Sequence, residues 1–365
     1  MLRKSASDSA HRQNEIPRLR SGFRHAAQTP RKRLKLAFSL LFFFAFQSLA
    51  LAQATRHFTF HYDFTVQGVP QGQRVRIWFP AAHSDNYQEI RVISAKGDLP
   101  LKKTHESRFG NEIYFAEASK AKAGDLHFEV VYDVVRHEHL TLGLQHPRLE
   151  NASLDKKEEQ LFLGPDKLVP ITGKPAELAA EVTKGKDSQL AKARAIYDYV
   201  FANMKYDKSG TGWGHGDVLY ACDAKKGNCT DFHSLFIAMA RSQGIPARFE
   251  IGFPLPASKN SGEIPGYHCW AEFFNPQNGW IPVDISEAWK NPVKKDYFFG
   301  AHDANRVQFS VGRDIKLNPP QQGEPLNYFV YPYVEVAGQE YPRVSLNFSF
   351  ADVDQGARAS LQTGN

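Results

Sequence analysis

The spacing of apolar residues changes its period along the chain, and this change restricts the possible folds more than any other feature. From Arg56 to about His139 apolar and polar residues alternate, as in Phe58-Thr59-Phe60-His61-Tyr62. Gly and Pro residues separate the alternating runs, and no helical pattern competes with them. A period of two is typical of antiparallel sheets that have one solvated face. We therefore predict an antiparallel β-sandwich module over residues 53–145.

Helical spacing replaces the alternation in the second half of the chain. Pro175 opens a first predicted helix, and residues 187–188 cap a second one. A third predicted helix follows Cys229 and ends at Gly244. Strand patterns then return and continue into the tail. This order predicts an α+β protein, in which residues 146–365 form helices packed on an antiparallel sheet, with a β-rich C-terminal extension.

Basic charge is concentrated at the start of the chain. The formal charge is +6, from 45 Lys and Arg residues against 39 Asp and Glu residues. Residues 1–52 hold ten of the basic residues and two of the acidic ones, so 35 basic and 37 acidic residues remain, a net charge of −2. A nearly neutral remainder offers no electrostatic support for nucleic-acid binding, so nucleic acid is not an expected partner.

The basic leader also has the layout of an export signal. The basic segment Arg31–Lys35 precedes the apolar run Leu36–Leu49, and the small-x-small triplet Ala50-Leu51-Ala52 follows. This order is typical of a cleavable signal peptide, and the apolar run is shorter than the about 20 residues of a spanning helix. We predict that residues 1–52 are removed at about Ala52/Gln53. The mature protein is then periplasmic or secreted and meets the membrane only through its signal.

Three residues in the second half have the chemistry of acyl transfer. Cys229 lies at the predicted first turn of the third helix, where free N–H groups and the helix dipole favour a thiolate. His268 lies in an apolar strand, and an imidazole is well suited to exchange a proton at neutral pH. Asp284 lies in the next strand, where a carboxylate can orient that ring.

The spacing of His268 and Asp284 also predicts a hairpin geometry. The two residues are symmetric about Pro276, so a loop of three or five residues centred there would place them directly opposite each other. A two-residue turn at Asn278-Gly279 would break this register. The catalytic interpretation therefore predicts the longer loop.

The order of these landmarks resembles that of the transglutaminase-like superfamily of papain-type cysteine enzymes, in particular exported bacterial members. The resemblance covers about residues 185–290 and includes the segment Gly244–Arg248 between the cysteine and the histidine. It implies a papain/transglutaminase-like catalytic domain with Cys229 as nucleophile, His268 as base and Asp284 as the orienting acid. It further implies a thioester that is released by water or by an amine.

Three cysteines in an exported chain leave at least one thiol unpaired. A disulfide between Cys222 and Cys269 would leave Cys229 free, and two inert thiols are the alternative. A bridge from Cys229 to either of the others would mask the nucleophile and act as a redox switch.

Neighbouring polar residues have competing interpretations. His233 lies one helical turn after Cys229 and is a rival base, although a supporting or surface histidine is expected because it has no obvious carboxylate partner. Asp231 is expected to complement the helix N-terminus. The segment His137-Glu138-His139 is interpreted as solvated.

No cofactor and no metal are expected. A zinc site could draw on several Cys and His side chains, but no Cys-x-x-Cys spacing is present among them. These candidate ligands are Cys222, Cys229, His233, His268 and Cys269.

Aromatic residues around the predicted site are candidates for the oxyanion donor and the cleft wall. The Trp213 indole could donate an N–H to an oxyanion, and Tyr206 is the alternative donor. Trp213, Tyr267 and Trp270 are expected to wall a cleft for an extended polypeptide.

Two classes of function agree with the sequence. The first is an exported cysteine acyl-transfer enzyme acting on amide bonds of a peptide, protein or cell-wall peptide, with hydrolysis favoured over cross-linking by transamidation. The second is an inactive cell-envelope binding or scaffold module. A thiol of Cys229 that lies close to His268 beside an open groove would favour the enzyme.

Overall fold

The computed structural model describes residues 53–142 and 152–353, so the predicted signal peptide lies outside the described residues. The strands fall into three groups along the chain. The first group comprises β1 Thr55–Val69, β2 Val75–Pro80, β3 Gln88–Gly97, β4 Lys102–His105, β5 Glu112–Ala118, β6 Gly124–His137 and β7 His139–Leu140. The second comprises β8 Lys205–Tyr206, β9 Lys226–Gly227, β10 Ala247–Pro254, β11 Ser261–Glu263, β12 His268–Asn275 and β13 Gly279–Val283. The third comprises β14 Ala301–His302, β15 Arg306–Val311, β16 Tyr333–Val336, β17 Gln339–Glu340 and β18 Val344–Asp352.

The helices lie between the first and third groups of strands. They are α1 Lys156–Leu163, α2 Lys174–Val182, α3 Gln189–Asn203, α4 Val218–Ala224, α5 Cys229–Ser242 and α6 Ile285–Lys290, followed by a 3₁₀ turn at Pro292–Lys294. None of the helices in the described ranges combines the length and the apolar character needed to cross a membrane. Strands, then helices, then strands is the α+β order predicted from the sequence.

Two five-stranded antiparallel sheets form a β-sandwich. Their strand orders are β11-β18-β1-β6-β3 and β17-β16-β2-β5-β4. Alternate residues along β1, among them Tyr62 and Phe64, are buried, whereas the residues between them are partly exposed. The rings of Tyr62 and Phe64 lie 5.8 and 5.0 Å from the ring of Phe79 on β2. The alternation therefore gives each sheet an apolar face, and the two faces pack together.

Strands from the far end of the sequence complete both sheets. β18 pairs with β1 from Phe58 to Val66, and β16 pairs with β2. The β-rich extension thus adds its strands to the sandwich. The domain limits 53–145 and 146–365 remain a prediction. Each sheet of the sandwich, however, contains strands from both of these ranges.

A four-stranded antiparallel sheet and helix α5 form the core of the second half. The sheet has the order β13-β12-β10-β15, and α5 packs against β12 and β10. Every residue of this helix from Cys229 to Arg241 is buried. The helix is enclosed because α2, α3 and α4 cover the sides that the sheet leaves open.

The predicted helix boundaries agree with α2, α3 and α5. The Ser188 side chain caps α3 by accepting a hydrogen bond from the Ala191 N–H at 3.1 Å, and Gly244 follows the end of α5 with φ of +72°. The sequence analysis missed α1, α4 and α6, which have eight, seven and six residues. Such short helices give too few repeats for a period of 3.6 to be recognised.

We expect Phe348→Ala in β18 to lower the free energy of unfolding by about 3–5 kcal/mol. The ring is buried and lies 4.4 Å from that of Phe253 and 4.8 Å from that of Tyr62. Leu346→Ala is the matched control on the same strand, because Leu346 is 40% exposed, and it should cost less than about 1 kcal/mol. Denaturant unfolding measures both losses, and equal losses would contradict the packing of β18 on the core.

Candidate active site

Helix α5 begins at Cys229, and a capping box fixes its N-terminus. The Asn228 side chain accepts a hydrogen bond from the Thr230 N–H at 2.9 Å. The Asp231 carboxylate accepts one from the Asn228 N–H, also at 2.9 Å. These bonds satisfy backbone donors that a helix end otherwise leaves open. The Cys229 sulfur is thereby held at the positive end of the helix dipole.

The Asp231 carboxylate also anchors the Gly-rich loop that precedes α4. It accepts hydrogen bonds from the Gly214 N–H at 2.7 Å and the Gly216 N–H at 3.0 Å. Gly216 has φ of +62°, and a Cβ at this position would collide with the Ser234 hydroxyl. Only glycine therefore fits here without strain. These contacts are structural, as the sequence predicts for Asp231.

His268 and Asp284 are joined inside the protein. His268 Nε2 lies 2.7 Å from Asp284 Oδ2, and both side chains are buried. An ionised carboxylate can only accept, so Nε2 donates and Nδ1 is left for a second partner. The Cys229 thiol is a close neighbour of the same imidazole and raises its pKa. The structure thus brings the three predicted residues together, and their catalytic role stays a prediction.

The predicted hairpin register is wrong by two residues. The loop Pro276–Asn278 between β12 and β13 has three residues, as predicted, but it is centred one residue later than expected. Extending the observed pairs places Trp270, not His268, opposite Asp284. An even offset keeps side chains on the same face of a sheet. His268 therefore still reaches Asp284, as a diagonal neighbour.

Asp284 has partners on three different elements. Its Oδ2 also accepts a hydrogen bond from Arg306 Nη1 at 3.0 Å, and its Oδ1 accepts one from the Glu287 N–H at 3.1 Å, which caps α6. Burial alone would raise the pKa of this carboxyl, but the charges of His268 and Arg306 hold it well below its usual range. The sequence analysis missed Arg306. Its one local signal is that it is the only charged residue of strand β15, which is buried almost throughout.

The Cys229 thiol favours its ionised form. The residue is 2% exposed, and burial alone would raise the thiol pKa. Hydrogen bonds with Cys269 and His268, together with the positive charge of His268, lower the pKa well below its usual value. Burial opposes the charged form of His268 as well, but Asp284 and Cys229 raise its pKa to about 10. Both shifts favour a thiolate and an imidazolium over the neutral pair.

All three cysteines are free thiols, so none of the three disulfides considered from the sequence is formed. Cys222 lies on α4 near Lys174, whereas the Cys269 thiol lies 3.7 Å from Thr230 Oγ1 at the start of α5. Burial raises the pKa of Cys222 to about 11 and also raises the pKa of Cys269. Cys229 is therefore the thiol that ionises most readily.

His233 lies inside the site, with one ring nitrogen already used. Its Nε2 accepts a hydrogen bond from the Ile285 N–H at 3.0 Å. Burial lowers its pKa to about 4, so the ring is neutral at pH 7. The expectation that it has no carboxylate nearby is wrong, because Asp284 Oδ1 lies 3.7 Å away. The occupied nitrogen favours a supporting role over that of a rival base.

A cleft of about 370 Å³ borders Cys229. Its walls are largely aromatic, and Lys208, His215 and Asn228 add polar groups. The aromatic lining residues are Tyr206, Trp213, Tyr267, Tyr328 and Tyr331. Tyr206, Trp213 and Tyr267 therefore lie where the sequence places them, and Tyr328 and Tyr331 come from the tail, which the sequence analysis did not connect with the site.

Two predicted roles of tryptophans do not agree with the structure. The Trp213 indole N–H donates to the Gly210 carbonyl at 3.1 Å, so this donor is not directed at an oxyanion. Trp270 is fully buried and donates to Glu250 at 2.7 Å, so it does not wall the cleft. Its ring lies 5.9 Å from that of His268. Strand β12 is buried along its whole length. Trp270 therefore packs beside His268 in the interior and does not contact the cleft.

The candidate zinc ligands considered from the sequence are not a three-residue group with mutually close ligand atoms. Within residues 53–142 and 152–353, the three-residue group whose ligand atoms lie within 4.8 Å of one another is His139, Glu272 and His302. These residues do not line the cleft. The interpretation of His139 as solvated is wrong, because β7 pairs with β14 in the interior and buries the ring.

Comparison with known proteins agrees with this fold. Residues 176–285 match the family model of the transglutaminase-like superfamily. An uncharacterised protein of Haemophilus influenzae is 32% identical over 320 residues, which are 77% of this chain and 85% of that protein. The uncharacterised protein YebA of Bacillus subtilis is 28% identical over 131 residues, 32% of this chain and 18% of that protein.

A solved structure has the same fold. The crystal structure of a candidate cysteine protease from Cytophaga hutchinsonii superimposes with a TM-score of 0.55 at 18% identity, covering 83% of this chain and 92% of that one. The resemblance inferred from the sequence is confirmed by the family match. The chain belongs to the transglutaminase-like superfamily, whose fold is that of cysteine-type enzymes.

Proposed function

We propose that the protein is an exported cysteine acyl-transfer enzyme that hydrolyses amide bonds of peptides or proteins through a thioester. One observation carries the proposal: the His268–Asp284 hydrogen bond lies beside Cys229, and the Cys229 thiol borders a cleft. A nucleophile, a proton carrier and an orienting acid are the groups that acyl transfer requires.

In the acylation step the Cys229 thiolate attacks the substrate carbonyl carbon, and the carbonyl electron pair moves to oxygen. As the tetrahedral intermediate collapses, the C–N bond breaks and the His268 imidazolium gives its proton to the departing nitrogen. The products are a free amine and a thioester on Cys229. Asp284 keeps the ring in the orientation that this transfer needs.

Deacylation reverses the proton movement. The neutral His268 now takes a proton from a water molecule, and the resulting hydroxide attacks the thioester carbon. The C–S bond breaks, a carboxylic acid leaves, and the thiolate–imidazolium pair is restored.

We assign the oxyanion to the backbone N–H of Cys229 and the hydroxyl of Tyr206. The N–H of a first helical residue has no hydrogen-bond partner within its own helix, so it can donate to an oxyanion. Tyr206 lines the cleft, and burial together with the Cys229 charge raises its pKa to about 12, so the hydroxyl keeps its proton. This assignment replaces Trp213, whose indole N–H is already donated.

The cleft favours an extended peptide, including a cell-wall peptide, as substrate. The Tyr267 hydroxyl is held by the Asn228 side-chain amide at 3.0 Å and by the Thr230 hydroxyl at 2.9 Å, which fixes its ring in the wall. Rigid aromatic walls bind a polypeptide at low cost in side-chain entropy. Export rests on the leader, residues 1–52, and no cofactor takes part in the steps proposed.

We expect a small thiol-directed probe such as iodoacetamide to label Cys229 at neutral pH, because this thiol alone is held as a thiolate. Cys229→Ala should abolish labelling, and Cys222→Ala is the control that should leave it intact. Mass spectrometry of digested protein locates the label, and circular dichroism checks the fold. Labelling that persists on Cys222 or Cys269 in the Cys229→Ala protein would refute the assignment.

The ionisation of the thiol should depend on His268. Wild-type alkylation should continue at pH 6, since a thiol of depressed pKa stays ionised as pH falls until that pKa is reached. In His268→Ala the pKa should return towards about 8.5, which lowers the thiolate fraction and the alkylation rate at pH 6 by roughly 100-fold. Initial rates between pH 5 and 9 measure this, with His61→Ala as control. Identical profiles in wild type and His268→Ala would exclude the ion pair.

Hydrolysis and transamidation differ in the fate of the thioester. With unfolded casein and a fluorescent primary amine, we expect new free amino groups to appear and no amine to be incorporated, both relative to Cys229→Ala. Gel fluorescence and amino-group titration measure the two products. Incorporated amine would instead identify a transamidase, and neither product, from a protein that labels at Cys229, would favour a binding module.

A further inference from the structure

Two histidines and a glutamate converge in the interior, away from the cleft. His139 on β7 and His302 on β14 are direct cross-strand partners, and Glu272 belongs to β12. Their ligand atoms all lie within 4.8 Å of one another. The three side chains are 2%, 0% and 2% exposed, in the order His139, His302 and Glu272. The fold thus places two imidazoles and a carboxylate around one point that water does not reach freely.

The imidazoles of this group have unused nitrogen atoms. Among the described residues, His302 Nδ1, His302 Nε2 and His139 Nε2 are buried without a hydrogen-bond partner. A buried polar atom that loses its hydrogen bond costs about 1–3 kcal/mol. A ring with both nitrogens unsatisfied is therefore an expensive way to fill a core, and it indicates a missing partner.

Both oxygens of the Glu272 carboxylate have a contact. Arg248 Nη2 contacts Oε2 at 2.6 Å, which leaves Oε1 directed at His139, 3.0 Å from its Nδ1.

We propose that His139, Glu272 and His302 form a binding site for a divalent transition metal of the zinc type. Two imidazole nitrogens and one carboxylate oxygen are a recurrent zinc set, whereas Ca²⁺ and Mg²⁺ require a shell of oxygen atoms. A water molecule would complete the four ligands.

The positions of the ligands give the metal a supporting role. It joins the two-stranded sheet of β7 and β14 to strand β12, which also carries His268. The His302 ring lies 5.6 Å from that of Trp270, and Trp270 in turn packs against His268. The metal would hold the strand that bears the base without touching the substrate.

The test is zinc binding by the full mature chain. Protein stripped with a chelator is titrated with ZnCl₂ by calorimetry, and the zinc retained after desalting is counted by elemental analysis. We expect about one zinc per chain. His302→Ala should weaken binding by at least about 100-fold, because a ligand is lost. This side chain has no hydrogen bond to lose, and His302→Gln, of similar size, is the second variant should the alanine protein unfold.

Two control variants distinguish zinc binding at this site from zinc binding by other residues of the protein. His61→Ala removes a half-exposed histidine of β1 and should bind zinc like the wild type. Cys229→Ala should also keep its zinc, whereas a metal held by the thiol site would be lost. Retention of tight binding in both His302 variants, loss in Cys229→Ala, or no tight zinc in the wild type would each overturn the proposal.

Discussion

One buried carboxylate, Asp284, determines how the separate pieces of the site meet. It receives hydrogen bonds from His268 on β12, from Arg306 on β15 and from the first turn of α6. An unpaired charge at this depth would cost several kcal/mol. The two strands and the helix can therefore pack as they do only while all of these donors stay in place. Because one of them is the base itself, the same bonds that hold the fold also set the orientation of the imidazole.

A second carboxylate, Asp231, has the corresponding function at the thiol. It accepts three backbone N–H groups, one from the start of α5 and two from the Gly-rich loop. Two different carboxylates thus hold the thiol and the base in place. The partners of Asp231 are near it in sequence, whereas Asp284 binds groups from more distant segments. The contact between Cys229 and His268 forms where the two anchored parts face each other. Its geometry depends on the packing of α5 against β12 rather than on the flexibility of either side chain.

Features coded by neighbouring residues could be predicted from the sequence. The alternation of β1, the start of α5 and the acidic cap at Asp231 are all local, and the structure contains each of them. Arg306 could not be predicted, because nothing near it in sequence shows which carboxylate it meets. The site of His139 and His302 has the same origin: two short strands, 139–140 and 301–302, pair only in the folded chain. The hairpin register failed because a three-residue loop can be centred on either of two adjacent residues.

The sandwich has a consequence for the order of folding. Arg56 bonds to Asp352, 296 residues away in sequence, so β1 has one open edge until nearly the whole chain is present. An unpaired strand edge is a template for association with other chains, and contacts of such long range form late and slowly. The helices and the central sheet, whose contacts are nearer in sequence, can assemble first. A chain of this topology is thus most prone to aggregate while it is incomplete, and the last strand to arrive is the one that ends this exposure.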